Sequence, residues 1–271
     1  MTEAEEEALA EAYERALALE KAGDPAAAAA WAEVLALDPR DPGGAALRLA
    51  ALGAAPAPDR AAPAYVATLF DQHAEVFDGI LVDQLEYGAP MLARERIQML
   101  GLGPFGAMLD LGCGTGLAAE ALEDMTARRV GVDLSEGMID VAGEKELYDD
   151  LFIGDALRFL EETDETWDIV TGMDLLPYLG EVAPLFRAAR ARLAPGGLFL
   201  FSTETLPEEA FAGAAWRVTP HQRFAHREAA LRSLLDDAGF ETMEATLIAL
   251  RLESGAPIAG HLFVTRAQQA V

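Results

Sequence analysis

From Leu100 onward, short apolar runs alternate with amphipathic helical spans, and this alternation limits the fold more than any other feature. The runs at 107–110, 129–133, 152–155, 168–173 and 198–203 read as strands. The spans at 116–124, 136–143, 182–193 and 227–238 read as helices. Strands and helices in alternation predict a parallel sheet covered on both faces. Two later strands, at 240–252 and 261–266, are joined only by the segment SGAPIAG. That is too short for a crossover helix, so they are expected to form an antiparallel hairpin at the sheet edge.

The first 55 residues differ in character. EEEALAEAYERALALEKAGD carries apolar residues at helical spacing and stops at Gly23; Pro25 opens a second helix, and DPRDP breaks it before a third. Small residues with Trp31, Leu35 and Pro39 at these spacings resemble a tetratricopeptide helix pair. Only about one and a half units are visible, and a solenoid needs about three, so the helices are expected to pack on the rest of the chain, on a second copy or on a protein partner. A Pro/Ala stretch, 56–64, marks the boundary to a domain over 65–271, whose residues 65–100 are expected to form cap helices. YVATLFDQHAEVFDGILVDQL reads as one helix with His73 on its apolar face beside Phe70 and Phe77.

Composition excludes several functions. The net charge of -26 argues against nucleic-acid or anionic-membrane partners, which need Lys/Arg clusters. No apolar run approaches the ~20 residues that cross a bilayer. The acidic start MTEAEEEALA has no apolar signal core. One cysteine, Cys113, allows neither an internal disulfide nor a cysteine-rich metal site, and no metal site is expected. The expected setting is cytoplasmic.

The chemistry centres on LDLGCGTGLAAEAL, where Gly112, Gly114 and Gly116 follow an apolar run that ends in Asp110. A dinucleotide loop places its pyrophosphate on the following helix N-terminus, and Leu117 stands where its third glycine belongs. Asp110 would oppose that pyrophosphate: like charges at ~4 Å cost on the order of 4 kcal/mol at an effective dielectric near 20. The acid suits a cationic guest instead. S-adenosylmethionine carries a sulfonium, an ammonium and no phosphate. Glycines let the backbone approach it. Asp133 ends the next strand, where a carboxylate accepts from a ribose diol or caps a helix. Asp155 ends the third, placed either for an adenine amino group or as an N-cap; Ala156 and Leu157 would flank the ring, and Met138 would cover its other face or fill the core.

LDLGCGTG, GVDLSEGM, GDA and LAPGG, in that order, resemble the successive motifs of class I S-adenosylmethionine-dependent methyltransferases over about residue 65 to the end. The front end resembles a bacterial group of predicted methyltransferases carrying a tetratricopeptide-like segment. The resemblance implies a doubly wound, Rossmann-like α/β fold with a seven-stranded, mostly parallel sheet whose last strand is antiparallel. It implies S-adenosyl-L-methionine as cofactor and S-adenosyl-L-homocysteine as product. Asp110, Gly112, Cys113, Gly114, Thr115 and Gly116 would hold the methionine end. Asp133 and Leu134 would hold the ribose, and Asp155 the adenine. Residues 171–174, including Thr171 and Met173, would line the methyl side. The family often has a histidine after the fourth strand; here Pro177 and Tyr178 stand there.

Methyl transfer needs a positioned nucleophile and, for a hydroxyl or ammonium acceptor, a base. Asp174, Tyr178, His226 and His73 are the candidates, with His221 and His261 weaker. Arg223 and Arg251 suit an acceptor carboxylate. Cys113 lies inside the cofactor loop, which argues against cytosine methylation; MDLLPY lacks the Asn/Asp-Pro-Pro-aromatic stretch of adenine methylation. The expected acceptor is a small organic molecule methylated at O or N. A protein substrate captured by the N-terminal helices, and a non-catalytic cofactor-binding adaptor, are the alternatives.

Overall fold

The computed structural model describes residues 2–253 and 255–268. Three helices come first: α1 (Glu3–Lys21), α2 (Ala27–Leu37) and α3 (Ala45–Ala51). A capping box starts α1, Thr2 and Glu5 each satisfying the other's backbone N–H. Buried Ala12, Ala16 and Ala30 let α1 and α2 approach closely around Trp31, whose ring meets Tyr13 edge-on at 5.3 Å. From α3, Leu47 turns the other way and packs with Ala61, Tyr178 and Phe224. The helical segment is thus bolted to the rest of the chain.

The segment expected to be one helix over 65–85 is broken. Helix α4 (Pro63–Asp71) ends before His73, followed by a 3-10 turn (Ala74–Val76) and a π-helical turn (Gly79–Gln84). Tertiary bonds made by Asp71 and Asp78, described below, override the helical period. His73 is consequently exposed, its Nδ1 2.9 Å from the Leu69 carbonyl.

Then α5 (Ala89–Met99) leads into the alternation: β1 (Phe105–Leu111), α6 (Leu117–Ala121), β2 (Thr126–Asp133), α7 (Glu136–Glu144), β3 (Asp150–Ile153), α8 (Ala156–Glu162), β4 (Trp167–Gly172), α9 (Ala183–Arg192) and β5 (Leu193–Glu204). A short α10 (Glu208–Phe211), the ribbon β6 (Trp216–Val218) and β7 (Phe224–His226), α11 (Glu228–Asp237) and the long hairpin β8 (Phe240–Glu253) and β9 (Ala256–Ala267) complete the chain. Strands β3-β2-β1-β4-β5 pair in parallel in that order. β9 pairs antiparallel with β5, and β8 antiparallel with β9. These seven strands are the expected mostly parallel sheet with its antiparallel last strand.

The ribbon β6–β7 brings the sheet to nine strands. Glu204 pairs with Gly260 of β9 and with Ala225 of β7. With β9 on one flank, β7 must take the other, in line with β4 and beyond its end. The ribbon therefore roofs the carboxyl end of the sheet beside the loop that follows β4. Both faces of the sheet are buried under apolar clusters, one rich in Phe186, Phe199, Phe201 and Phe263. Strand order reverses between β1 and β4, which opens the ligand crevice of such sheets at their carboxyl ends.

Candidate active site

An apolar-walled cleft of about 280 Å³ lies at that reversal, between the strand-end loops and the cap. The glycine loop forms one side. Gly112 (φ 64°) and Gly114 (φ 53°) hold left-handed conformations, and a Cβ on Gly112 would come within 3.2 Å of Leu175. The N–H groups of Gly112 and Cys113 both bond the Val132 carbonyl, which ties the loop to the end of β2. A Cβ on Gly114 would meet no protein atom within 4 Å, so this backbone presents itself bare to the cleft.

Behind the loop, Asp110 is 1% exposed. Thr171 Oγ1 donates to one of its oxygens at 2.6 Å and the Tyr148 hydroxyl to the other at 2.7 Å. Burial pushes its carboxyl up to about 6 against those two hydrogen bonds. Asp133 accepts from Gly114 N–H at 2.8 Å and from Ser135 N–H at 2.9 Å, one on each oxygen. Each oxygen keeps a lone pair for a ligand. Burial raises its carboxyl too. The Cys113 thiol is pushed far up by burial and then by the carboxylates of Asp110 and Asp133, so it is no nucleophile.

Asp155 caps α8 through the Arg158 N–H at 3.0 Å and is also paired with Arg60, from the Pro/Ala stretch. Burial raises its carboxyl, but the Arg60 guanidinium and the Arg158 N–H outweigh this and hold it below the usual range. Leu134, Ala156 and Leu157 supply apolar wall nearby. At the opposite end stand Met173, Asp174 and Tyr178. Asp174 has φ 59°; its N–H donates to Ser202 Oγ at 2.8 Å, and its carboxylate accepts from Arg251 at 3.2 Å. Burial raises this carboxyl as well. Arg251 is itself buried and bonded to Glu204, so it orients Asp174 and is not available to a ligand carboxylate. Tyr178 meets Phe70 edge-on at 5.4 Å, with the Arg223 guanidinium 5.9 Å from its ring centre. Burial lifts its phenol well above the usual value, so it is a neutral wall.

Five of the expected site residues do not line the cleft. Thr171 is fully buried and supports Asp110 from behind. Gly116 (φ 94°) makes room for the Tyr148 ring, 3.1 Å from where its Cβ would stand. Met138 is buried in the first turn of α7. His73 is on the surface because α4 ends before it. His226 is 1% exposed, with Nδ1 2.7 Å from Thr203 Oγ1 and Nε2 3.3 Å from the Gly180 carbonyl. Burial drives its imidazole down to about 4, so it fastens β7 to β5 as a neutral ring. Of the weaker candidates, His221 pairs with Glu253 at 2.8 Å, and His261 lies in β9 beside Glu228 at 3.3 Å.

The cap contributes what sequence reasoning missed. Asp59, Arg60 and Ala61 line the cleft, as do Phe70, Phe77 and Tyr87. Asp71 accepts from Ser135 Oγ at 2.5 Å and from Gly137 N–H at 3.1 Å. Asp78 accepts from Thr115 Oγ1 at 2.5 Å and pairs with Lys145 at 2.5 Å. A charged Asp-Arg pair inside an otherwise Pro/Ala stretch was the available signal for Arg60.

A sequence-family model described as a methyltransferase domain matches residues 85–245, more than half of the chain. The chain belongs to this methyltransferase family. The ubiquinone biosynthesis O-methyltransferase of Coxiella burnetii is 36% identical over 99 residues, 35% of this chain and 42% of that protein. The malonyl-[acyl-carrier protein] O-methyltransferase of Yersinia pestis is 28% identical over 159 residues, 58% of this chain and 57% of that one. The chain thus spans about half the length of the curated relatives it matches. The N-methyltransferase NodS from Bradyrhizobium japonicum, solved with S-adenosyl-L-homocysteine, aligns with a TM-score of 0.58 at 17% identity, over 74% of this chain and 98% of that one. An S-adenosylmethionine-dependent methyltransferase from Clostridium acetobutylicum aligns at 0.54 and 16%, over 74% and 99%. At such identities the likeness is one of fold.

The methyltransferase cleft fits S-adenosylmethionine by its donor set. Carboxylates of Asp110, Asp133 and Asp155 stand along it, with bare glycine backbone between the first two. A pyrophosphate would face these charges; an ammonium and neutral hydroxyl and amino donors do not.

Proposed function

We propose that this methyltransferase moves a methyl group from S-adenosylmethionine to an oxygen or nitrogen of a small organic acceptor, with Asp174 as the base. The observation that carries the reading is Asp174 itself. It is a carboxylate lining the cleft after β4, raised by burial, with its backbone N–H fixed on Ser202 and its carboxylate oriented by Arg251.

When bound, S-adenosylmethionine supplies a methyl carbon activated by its sulfonium. Gly112–Thr115 and Asp110 hold its amino-acid end, Asp133 its ribose hydroxyls and Asp155 its adenine amino group. Asp174 accepts the acceptor's proton as the nucleophile develops, and its raised pKa makes it a stronger base than a free carboxylate. Met173, Tyr178 and Phe70 wall off water. The named relatives, an O-methyltransferase of ubiquinone biosynthesis and a malonyl-[acyl-carrier protein] O-methyltransferase, support an oxygen acceptor. The same reading divides the chain into a tetratricopeptide-like segment over 1–55, a connector over 56–64 and the catalytic domain over 65–271, and places the protein in the cytoplasm. It gives the N-terminal helices a role as cap, homodimer contact or protein dock. Among the described residues, no helix is long and apolar enough to cross a membrane.

The test is label transfer from S-adenosylmethionine to a panel of phenols, carboxylic acids and amines, with Asp174→Asn alongside. The variant is expected to lose about 10²–10⁴ in kcat while keeping its S-adenosylhomocysteine affinity. Undiminished kcat in the variant overturns the role of Asp174; label appearing only in polypeptide overturns the acceptor class.

A further inference from the structure

The stretch that joins the helical segment to the catalytic domain is stitched to the cleft. The Ala61 N–H bonds the Tyr178 carbonyl at 2.9 Å, and the N–H groups of Gly180 and Glu181 both bond the Asp59 carbonyl at 2.8 Å. Arg60 and Leu179 form the β-bridge between them. Prolines at 56, 58 and 63 keep this stretch extended and out of any helix, as such a bridge requires. Its backbone therefore lies fixed along one rim of the site, opposite the loop after β3.

From that rim Arg60 crosses to Asp155 and pairs with it. One carboxylate oxygen is then held by Arg60 and the other by the Arg158 N–H. Arg60 lines the cleft beside Asp155, where adenine is expected.

We propose that Arg60, contributed from outside the catalytic domain, is a cofactor-binding residue that selects adenine. It holds Asp155 as a fixed, ionised acceptor for the exocyclic amino group. The inference rests on the cleft being the S-adenosylmethionine site. It makes the adenine end of the pocket a joint product of two parts of the chain: the strand-end carboxylate supplies the acceptor, and the connector supplies its counter-ion. A carbonyl in place of the amino group would confront an acceptor with an acceptor.

The test is calorimetric titration of the full chain with S-adenosylhomocysteine and with its deaminated analogue, S-inosylhomocysteine. The wild type is expected to prefer the amino form by tenfold or more. Arg60→Ala is expected to bind S-adenosylhomocysteine about 10- to 100-fold more weakly, the range for a hydrogen bond to a charged group, and to lose most of the preference. Arg60→Lys keeps the charge without the planar fork and is expected to fall between the two. The ratio of the two affinities is internal to each preparation, so it survives a partly unfolded sample. Arg60→Gln serves should Arg60→Ala not fold. Wild-type affinity and preference in the Arg60 variants overturn the proposal and leave the cofactor reading standing. No binding of either ligand to the wild type overturns the cofactor reading, and this proposal with it.

Discussion

Asp110 ends β1 enclosed by protein, bonded to Thr171 and Tyr148, with its carboxyl pushed from 3.8 up to about 6. The folded state therefore holds a proton there that the unfolded chain has released. Between about pH 4 and about pH 6 this group makes the free protein less stable as pH rises. A ligand ammonium favours the ionised carboxylate, so S-adenosylhomocysteine affinity should climb through about pH 6 and level off above it. Titration calorimetry across that range tests this, and Asp110→Asn should flatten the profile. Asp133 presents a simpler case, because its carboxylate also fastens Gly114 and Ser135. Asp133→Ala should weaken S-adenosylhomocysteine by more than tenfold and cost about 1–3 kcal/mol of stability, read by denaturant melts with and without ligand. That Asp110, Asp133, Asp155, Gly112 and Gly114 line one cleft was legible because each follows or ends a strand, and neighbouring parallel strands bring their ends together. Asp71 and Asp78 were not, because nothing local to them announces a partner tens of residues away; for Arg60 the only local signal was its charge in a Pro/Ala stretch, which names no partner. His226 misled for the same reason: its position in sequence is near the acceptor side, but its ring is turned into the β5–β7 contact.

At the level of elements, the alternation after Leu100 translated into the sheet because long strands carry enough apolar residues to declare themselves. The three-residue strands β6 and β7 do not, and the cap helix broke where tertiary bonds outweighed its period. The hairpin β8–β9 shows what such pairing demands. β9 runs between β5 and β8, and Gly260 sits where all three meet. A Cβ there would fall 2.4 Å from the Thr203 carbonyl and 2.3 Å from a Leu250 methyl. The Leu250 side chain can turn; the Thr203 backbone cannot without parting β5 from β9. Gly260→Ala is therefore expected to destabilise the protein by about 1–3 kcal/mol, and by more if the strands separate. A thermal melt of the variant unchanged from wild type would show that β5 and β9 lie farther apart at this point. The same crossing carries Glu204 and, through Arg251, the aim of Asp174. Gly260→Ala should accordingly lower turnover more than it lowers S-adenosylhomocysteine affinity.

Across the whole molecule, the helical segment and the catalytic domain share a core and do not merely adjoin. Leu47 of α3 is 1% exposed and packs with Ala61, Tyr178 and Phe224, which belong to the connector, the cleft wall and the roofing ribbon. One apolar cluster thus joins α3 to the connector, the cleft wall and the ribbon. If the segment were a separate domain on a tether, scanning calorimetry would resolve two transitions, and ligand would move only one. The shared core predicts one transition for the full chain, raised as a unit by S-adenosylhomocysteine. Leu47→Ala empties part of that core and should cost about 2–5 kcal/mol. It also loosens Tyr178 and, through Ala61, the rim that carries Arg60, so the acceptor's KM should rise and S-adenosylhomocysteine should bind more weakly. Two independent transitions in the wild type, or a Leu47→Ala variant that keeps wild-type KM and S-adenosylhomocysteine affinity, would mean that the helices do not shape the cleft.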